Sequence, residues 1–443
     1  MKIKTIAMLE IAIVLCLVFL VALPAITAAS EIYERGPLDI FGNANEDDTI
    51  DMRDTTYIKL AIFGKKLKTD LADANHDGKV SMLDVGQTKL IILGKEKKLT
   101  YIDIFGEAET VNKPIKRLVN MGYFGPRVTR TLGARDILVA TSGEPYPYQP
   151  IFYPVISKLL GVGNAFHGCD YEMILSLKPD AVQTNFEMNR FAIESLPQKR
   201  IHQEKLPGIP LISLNMREPD VLPKNLRTYG YILDKEKEAD EFIDWFEGHA
   251  NKIKARTEGL SKDKRPKVLL GWWGPGGRIC SCVCPGNRID QVITLSGGRN
   301  IADEIIGPDS PHYKKSSIDL DVEWLVEQNP DFIIKSVSGG KGLTGYEIDD
   351  QSEVVTARRE ILNLPELAHV DAVKKDHVYM VDNSLVGGGG AFPIGAAYLG
   401  KVLHPDLFED IDPQAIHQEY VDKFCYIDFD VYEQGVFIYP PLV

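Results

Sequence analysis

The 443-residue sequence is short of several residue types, and each shortage closes off a class of function. Positive charge is in deficit: 50 Lys and Arg stand against 63 Asp and Glu, a formal charge of −13 that argues against a general nucleic-acid binder. Cysteine is scarce, six in all, and Cys16 lies inside an N-terminal apolar run. The other five, Cys169, Cys280, Cys282, Cys284 and Cys425, are an odd number, so at least one thiol is unpaired and no disulfide scaffold is built. Gly-x-Ser-x-Gly is missing, as are a zinc-protease helix and a carboxylate pair in a glycosidase pattern. Hydrophobic content of 44% and charged content of 26% are ordinary for globular protein, and the length leaves room for two to four domains.

The first thirty residues read as a targeting segment. Lys2 and Lys4 precede an apolar stretch from Ile11 to Ile26, and small residues close it at Thr27 to Ser30. That order predicts a secretory signal over residues 1–29; an uncleaved membrane anchor is the competing reading. Leu15, before Cys16, is not the small residue that a lipoprotein signal requires. Export to the cell surface, the periplasm or the medium is expected.

Residues 39–99 carry an internal repeat. "NANEDDTIDMRD" sets Asn43, Asn45, Asp47, Asp51 and Asp54 at loop positions 1, 3, 5, 9 and 12, and "DANHDGKVSMLD" sets Asp73, Asn75, Asp77 and Asp84 at 1, 3, 5 and 12. Each loop runs into an apolar-periodic segment ending in Gly, "TTYIKLAIFG" and "VGQTKLIILG". Calcium takes about six to eight hard oxygens, which alternating carboxylates and amides on a tight loop supply. Two tandem loops, each followed by one short helix, resemble a type I dockerin. That resemblance implies a small all-α calcium-binding domain and a cohesin-like surface partner. The first loop departs at position 6, where Asp48 replaces the glycine of the second, Gly78, which predicts weaker calcium binding there.

From residue 100 onward, helix-like and strand-like segments alternate, which argues an α/β chain with mainly parallel sheets. One set runs from "RLVNM" through "YEMILSLKPDAVQT"; a second runs from "RPKVLLGWW" through "VEWLVEQNPDFIIK" to "VYMVD". Between them, residues 225–260 contain no proline and keep apolar residues at helical spacing. The predicted plan is two Rossmann-like lobes, 100–224 and 261–443, joined by one long helix over 225–260. The Glu-x6-Pro-Asp echo between the lobes, with "LSGGRNIA" and the late "VYMVD" in order, resembles the metal-chelate class of ABC-importer substrate-binding proteins. This resemblance implies a non-enzymatic carrier that takes a ferric siderophore, corrinoid or haem between its lobes and delivers it to an ABC permease. It also implies that Glu172 and Glu323 meet permease arginines; a favourable first-turn helix charge is the other account of each.

In such a fold the ligand sits at loops on the strand ends. Those loops offer Tyr123, Tyr146, Tyr148, Phe166, Trp272 and Trp273 for stacking, with His167 and Cys169 beside them. Phe166 stands six residues before Glu172, where cobalamin binders of that class present an aromatic. Arg127, Arg130 and Arg278 are candidates for an anionic ligand, solvated surface arginine being the alternative. "CSCVC" places Cys280, Cys282 and Cys284 on one face of a strand, about 6.5–7 Å apart. They read as ligands of a soft metal or of a chelated one, as buried free thiols, or as a redox pair. Two other functions compete: a secreted dockerin-bearing hydrolase, and a surface protein that holds bare metal through these thiols. Residues 425–443 carry no motif.

Overall fold

The computed structural model describes residues 36–143, 146–166, 168–184, 192–273, 279–337 and 342–442. The segment assigned to a signal lies outside them, and no described helix is long and apolar enough to cross a membrane. The two repeat copies form α1 (Met52–Ile62) and α2 (Met82–Ile92). Both start at a capping box, in which Asp51 or Ser81 accepts backbone N–H groups while the carboxylate of Asp54 or Asp84 returns the bond. A hairpin of β1 (Lys98–Ile102) and β2 (Ala108–Asn112) follows.

The first lobe contains β3 (Leu118–Asn120), α3 (Gly125–Thr131), β4 (Leu138–Thr141), β5 (Leu160–Gly161), the small ribbon β6 (Gly163–Asn164) and β7 (Gly168–Cys169), α4 (Tyr171–Ser176), β8 (Ala181–Gln183), α5 (Ala192–Lys205) and β9 (Leu211–Ile212). Its sheet has the order β5-β4-β3-β8-β9, and every pairing is parallel. The strands are apolar on both faces because helices cover both sides of a parallel sheet.

The linker differs from the single helix expected over 225–260. It is two helices, α6 (Leu222–Leu233) and α7 (Glu236–Thr257), broken where Asp234 takes the left-handed conformation with φ 57°. Asp tolerates that region better than most side chains, so the break needs neither proline nor glycine. α6 and α7 pack on each other through Leu226, Tyr229, Phe242 and Phe246, all buried.

The second lobe runs through β10 (Lys267–Trp272), β11 (Ser281–Val283), α8 (Arg288–Leu295), β12 (Arg299–Asn300), β13 (Ser317–Asp319), α9 (Val322–Gln328), β14 (Phe332–Val337), α10 (Ser352–Leu362), β15 (Val378–Asp382), α11 (Phe392–Leu403), α12 (Pro413–Tyr420) and β16 (Ile438–Tyr439). Its sheet has the order β12-β10-β14-β15-β16; only the edge strand β16 is antiparallel. The repeated Pro-Asp segments form α4 then β8 in one lobe and α9 then β14 in the other.

One large core crosses all of these parts. It joins Leu38, Ile40, Ile50 and Ile91 of the small module to Leu99 and Tyr101, to α6 and α7, and to Phe392, Tyr420 and Phe424 near the C-terminus. The module keeps only a small core of its own, Ala44, Ile58, Ala72 and Val85. Ile40 bridges Tyr101 along β1, Lys224 pairs with Asp39 at 2.6 Å, and buried Lys113 pairs with Glu96 and with Asp234. Residues 39–99 are therefore seated on the first lobe and the linker.

Candidate functional site between the lobes

Parallel strands deliver their following loops to one edge of a sheet, so each lobe presents a row of loops at its strand C-terminal ends. The two rows meet. Ile151 and Phe152 donate their backbone N–H groups to Glu347 Oε1 at 2.9 and 3.0 Å, and the Phe152 ring stacks on Tyr346 at 3.9 Å between centroids. Phe124 reaches Gly389, whose N–H donates to the Arg217 carbonyl at 2.8 Å. Buried polar groups stand at the strand ends behind this seam: Asn120 donates to Gln183 at 2.6 Å, and Asp382 accepts from Thr344 at 2.9 Å.

Of the aromatic candidates, Tyr123 (43% exposed), Tyr148 and Phe166 (45%) present rings to solvent, while Trp272 and Trp273 are half-buried. Tyr146 does not: it is 1% exposed, its hydroxyl is used by the Tyr123 carbonyl, and its ring packs on Tyr153. It is a core residue. His167 and Arg278 lie outside the described residues. Cys169 is half-buried beside Tyr171, and burial pushes its thiol pKa up.

Arg127 and Arg130 are not surface arginines and do not line an open cleft. Both are buried in the lobe junction. Arg127 donates to the Tyr420 hydroxyl at 2.9 Å and the Ser384 carbonyl at 3.2 Å; Arg130 donates to the Phe152 carbonyl and lies 3.4 Å from Cys425 Sγ. They fasten the C-terminal segment to the first lobe.

Glu172 and Glu323 occupy matching places. Each is exposed in the first turn of its helix, α4 or α9, behind an Asp N-cap, Asp170 or Asp321. The structure thus puts one outward carboxylate at an equivalent point of each lobe.

A family model described as Periplasmic binding protein matches residues 131–385, more than half of the chain. The chain belongs to the periplasmic binding protein family. Among curated relatives of this periplasmic binding protein is the molybdate-binding protein MolA of Haemophilus influenzae, 22% identical over 282 residues, 57% of this chain and 69% of MolA. The solved structure of MolA bound to molybdate superposes with a TM-score of 0.57 at 18% identity, over 74% of this chain and 98% of that one. The TroA-like protein FepB from Veillonella parvula gives 0.60 at 19% identity, over 76% and 98%. Helicobacter pylori CeuE with nickel(II) bound gives 0.56 at 18% identity, over 74% and 97%. At these identities the likeness establishes the shared fold.

The cysteine cluster is largely buried. In this periplasmic binding protein Cys282 and Cys284 are fully buried among Ile301, Leu320 and Ile333, and half-buried Cys280 packs on the same cluster. Burial pushes Cys282 up to about 12 and Cys284 to about 11. A metal needs thiolates, which that apolar wall disfavours. Among the described residues the group close enough to share a cation is Asp103, Glu107 and Glu109, and Lys199 already neutralises it at 2.5–2.8 Å.

The two acidic loops differ in how they would hold a cation. Asn43, at position 1, is fully buried; its Nδ2 donates to the Leu38 and Asp47 carbonyls, and its Oδ1 has no partner. An orphaned buried acceptor in an acidic loop fits a cation. In the second loop Asp73, Asp77 and Asp84 accept backbone N–H groups and the Asn75 amide. Asp48 makes its turn without a positive φ, whereas Gly78 takes φ 87°. The Asp48 carbonyl accepts from Arg227 Nη1 at 2.9 Å and its carboxylate lies 3.4 Å away, so the residue that replaces glycine serves the contact with α6.

Sequence reasoning missed two features of the junction. The C-terminal segment closes it: Tyr420, Phe424 and Cys425 pack against α7, and β16 pairs with β15. The "GGGG" run at 387–390 is a packing seam. A Cβ on Gly388 would stand 2.4 Å from Arg288 Cδ, and one on Gly390 2.6 Å from the Phe242 ring. Four consecutive glycines were the available signal for such close approach.

Proposed function

We propose that this protein is the solute-capturing component of an ABC importer, that it takes a metal chelate between its lobes, and that Glu172 and Glu323 dock it on the permease. The observation that carries this reading is the facing of two loop rows across one seam, with Tyr123 and Phe166 exposed on loops of the first lobe and one outward carboxylate on each lobe. Flat aromatic surface suits a macrocycle or a catecholate. The paired carboxylates suit charge-assisted contacts with arginines on either side of a central pore. Nothing in this role needs bond-making chemistry. Membership of the family places the protein outside the cytoplasmic membrane, in keeping with the N-terminal signal reading.

The small module acts as an address in this proposal. Its loops take calcium through Asn43, Asn45, Asp47, Asp51 and Asp54 in the first copy and Asp73, Asn75, Asp77 and Asp84 in the second. The exposed apolar side chains Phe63 (73%), Leu67 (84%), Leu83 and Leu93 offer a cohesin-like surface protein a place to bind.

The deciding experiment is a tryptophan fluorescence titration of the mature chain against a ferric siderophore, cobalamin, haem and molybdate. Saturable quenching by one of the chelates supports the proposal and gives the ligand class. Saturation by molybdate alone favours a second reading, a bare-oxyanion carrier like the relative MolA. No response to any of the four overturns both.

A further inference from the structure

We propose that Arg53 is a resident cation of the first acidic loop, so that the two loops fill with calcium in order, the second before the first. This rests on the calcium reading above and extends it by naming a side chain, beyond the Asp48 turn, that lowers the affinity of the first loop.

The loops are alike in sequence spacing but not in what their carboxylates touch. In the first, Arg53 Nη2 lies 3.1 Å from Asp47 Oδ2 and Nε lies 2.9 Å from Asp51 Oδ2. The guanidinium also donates to Thr49 Oγ1 at 2.9 Å. Asp47 and Asp51 are loop positions 5 and 9, so one side chain spans two of the groups a calcium ion would need. In the second copy the residue matching Arg53 is Leu83, 66% exposed. Asp73, Asp77 and Asp84 there bond only to backbone N–H groups and to Asn75, and among the described residues no cationic side chain pairs with them.

The first loop is nonetheless built to take a cation. Asn43 is fully buried at position 1 with Oδ1 unpartnered, an acceptor that the arginine does not reach. Calcium entering must detach a guanidinium that is already in place and then bind beside its positive charge. Arg53 and Asp51 are both well exposed, so each ion pair contributes little in water and the handicap is modest, about threefold to tenfold in affinity. The second loop carries no such handicap and fills first.

Calorimetric titration of the full mature chain with calcium tests this, using wild type, Arg53→Leu, Asp77→Asn and Asp47→Asn. Arg53 is largely exposed, so replacing it with the residue of the second copy leaves the fold in place. The expected wild-type curve has two steps separated by about threefold to tenfold. Asp77→Asn abolishes the tighter step, Asp47→Asn the weaker, and Arg53→Leu moves the weaker step toward the tighter. Two equal wild-type steps, or a weaker step that stays put in Arg53→Leu, overturn the inference and leave calcium binding intact. No calcium binding by wild type overturns the inference and the calcium reading together.

Discussion

His417 provides a pH test of the lobe junction. It sits on α12, fully buried, with Nε2 2.6 Å from the Tyr346 hydroxyl, Phe437 edge-on at 4.5 Å and Nδ1 unpartnered. Burial, aided by the Arg127 charge, holds its pKa at about 3, against an ordinary value of 6.5. The unfolded chain takes up the proton below about pH 6.5, while the folded chain refuses it until about pH 3. The stability contributed by the neutral ring is therefore complete above pH 6.5 and is lost as pH falls toward 3. Over that whole range it amounts to about 5 kcal/mol, and between pH 7 and pH 5 to about 2 kcal/mol. His417→Gln keeps a group able to bond Tyr346 and cannot titrate. Isothermal urea unfolding at pH 7 and pH 5 should show wild type losing about 2 kcal/mol more than the variant. His202 and His249, also held below their ordinary values by burial, titrate in both proteins and cancel in the difference. Equal losses in the two proteins would refute the argument that the junction excludes a proton from this ring.

Three further outcomes follow from packing and charge. Gly390→Ala drives a methyl group to 2.6 Å from Phe242 Cζ in the junction core, and overpacking of this kind costs about 1–3 kcal/mol, readable as a lower urea midpoint. Lys199→Met leaves Asp103, Glu107 and Glu109 clustered without their shared cation, and the loss should reach about 3–5 kcal/mol by the same measurement; an unchanged midpoint would contradict the network. Iodoacetamide followed by peptide mass mapping should label Cys169 and Cys280 in the native chain and spare Cys282, Cys284 and Cys425; native-state labelling of Cys282 would contradict its burial.

The two-lobe plan was legible because it is written in local signals. The alternation of apolar strands with helices, and the Pro-Asp break between α4 and β8 and again between α9 and β14, report on short stretches of chain. The break between α6 and α7 was hidden because the residue in the left-handed conformation is Asp234, which gives no stronger sign than any other polar helix residue. Tyr146 and Tyr123 are both loop tyrosines near a strand end; only the tertiary fold turns one inward and the other out, since a loop has no period from which to read a face. Arg127 and Arg130, on the short helix α3, were misplaced for a different reason. Their partners, Tyr420 and Cys425, lie nearly three hundred residues away, and no local pattern reports so distant a contact.

The contact of Asp48 with Arg227 has a mechanical consequence. Arg227 also holds Asp240 at 3.1 Å, so a single guanidinium bolts the first acidic loop to both linker helices. A protein hung from a slack leash would tumble, and its mouth would sweep every direction. Here the small module and the two lobes share one block of packed side chains. Whatever grips α1 and α2 from outside would therefore also set the bearing of the seam between the lobes, and a rigid anchor would hold the carboxylates of Glu172 and Glu323 at a constant angle.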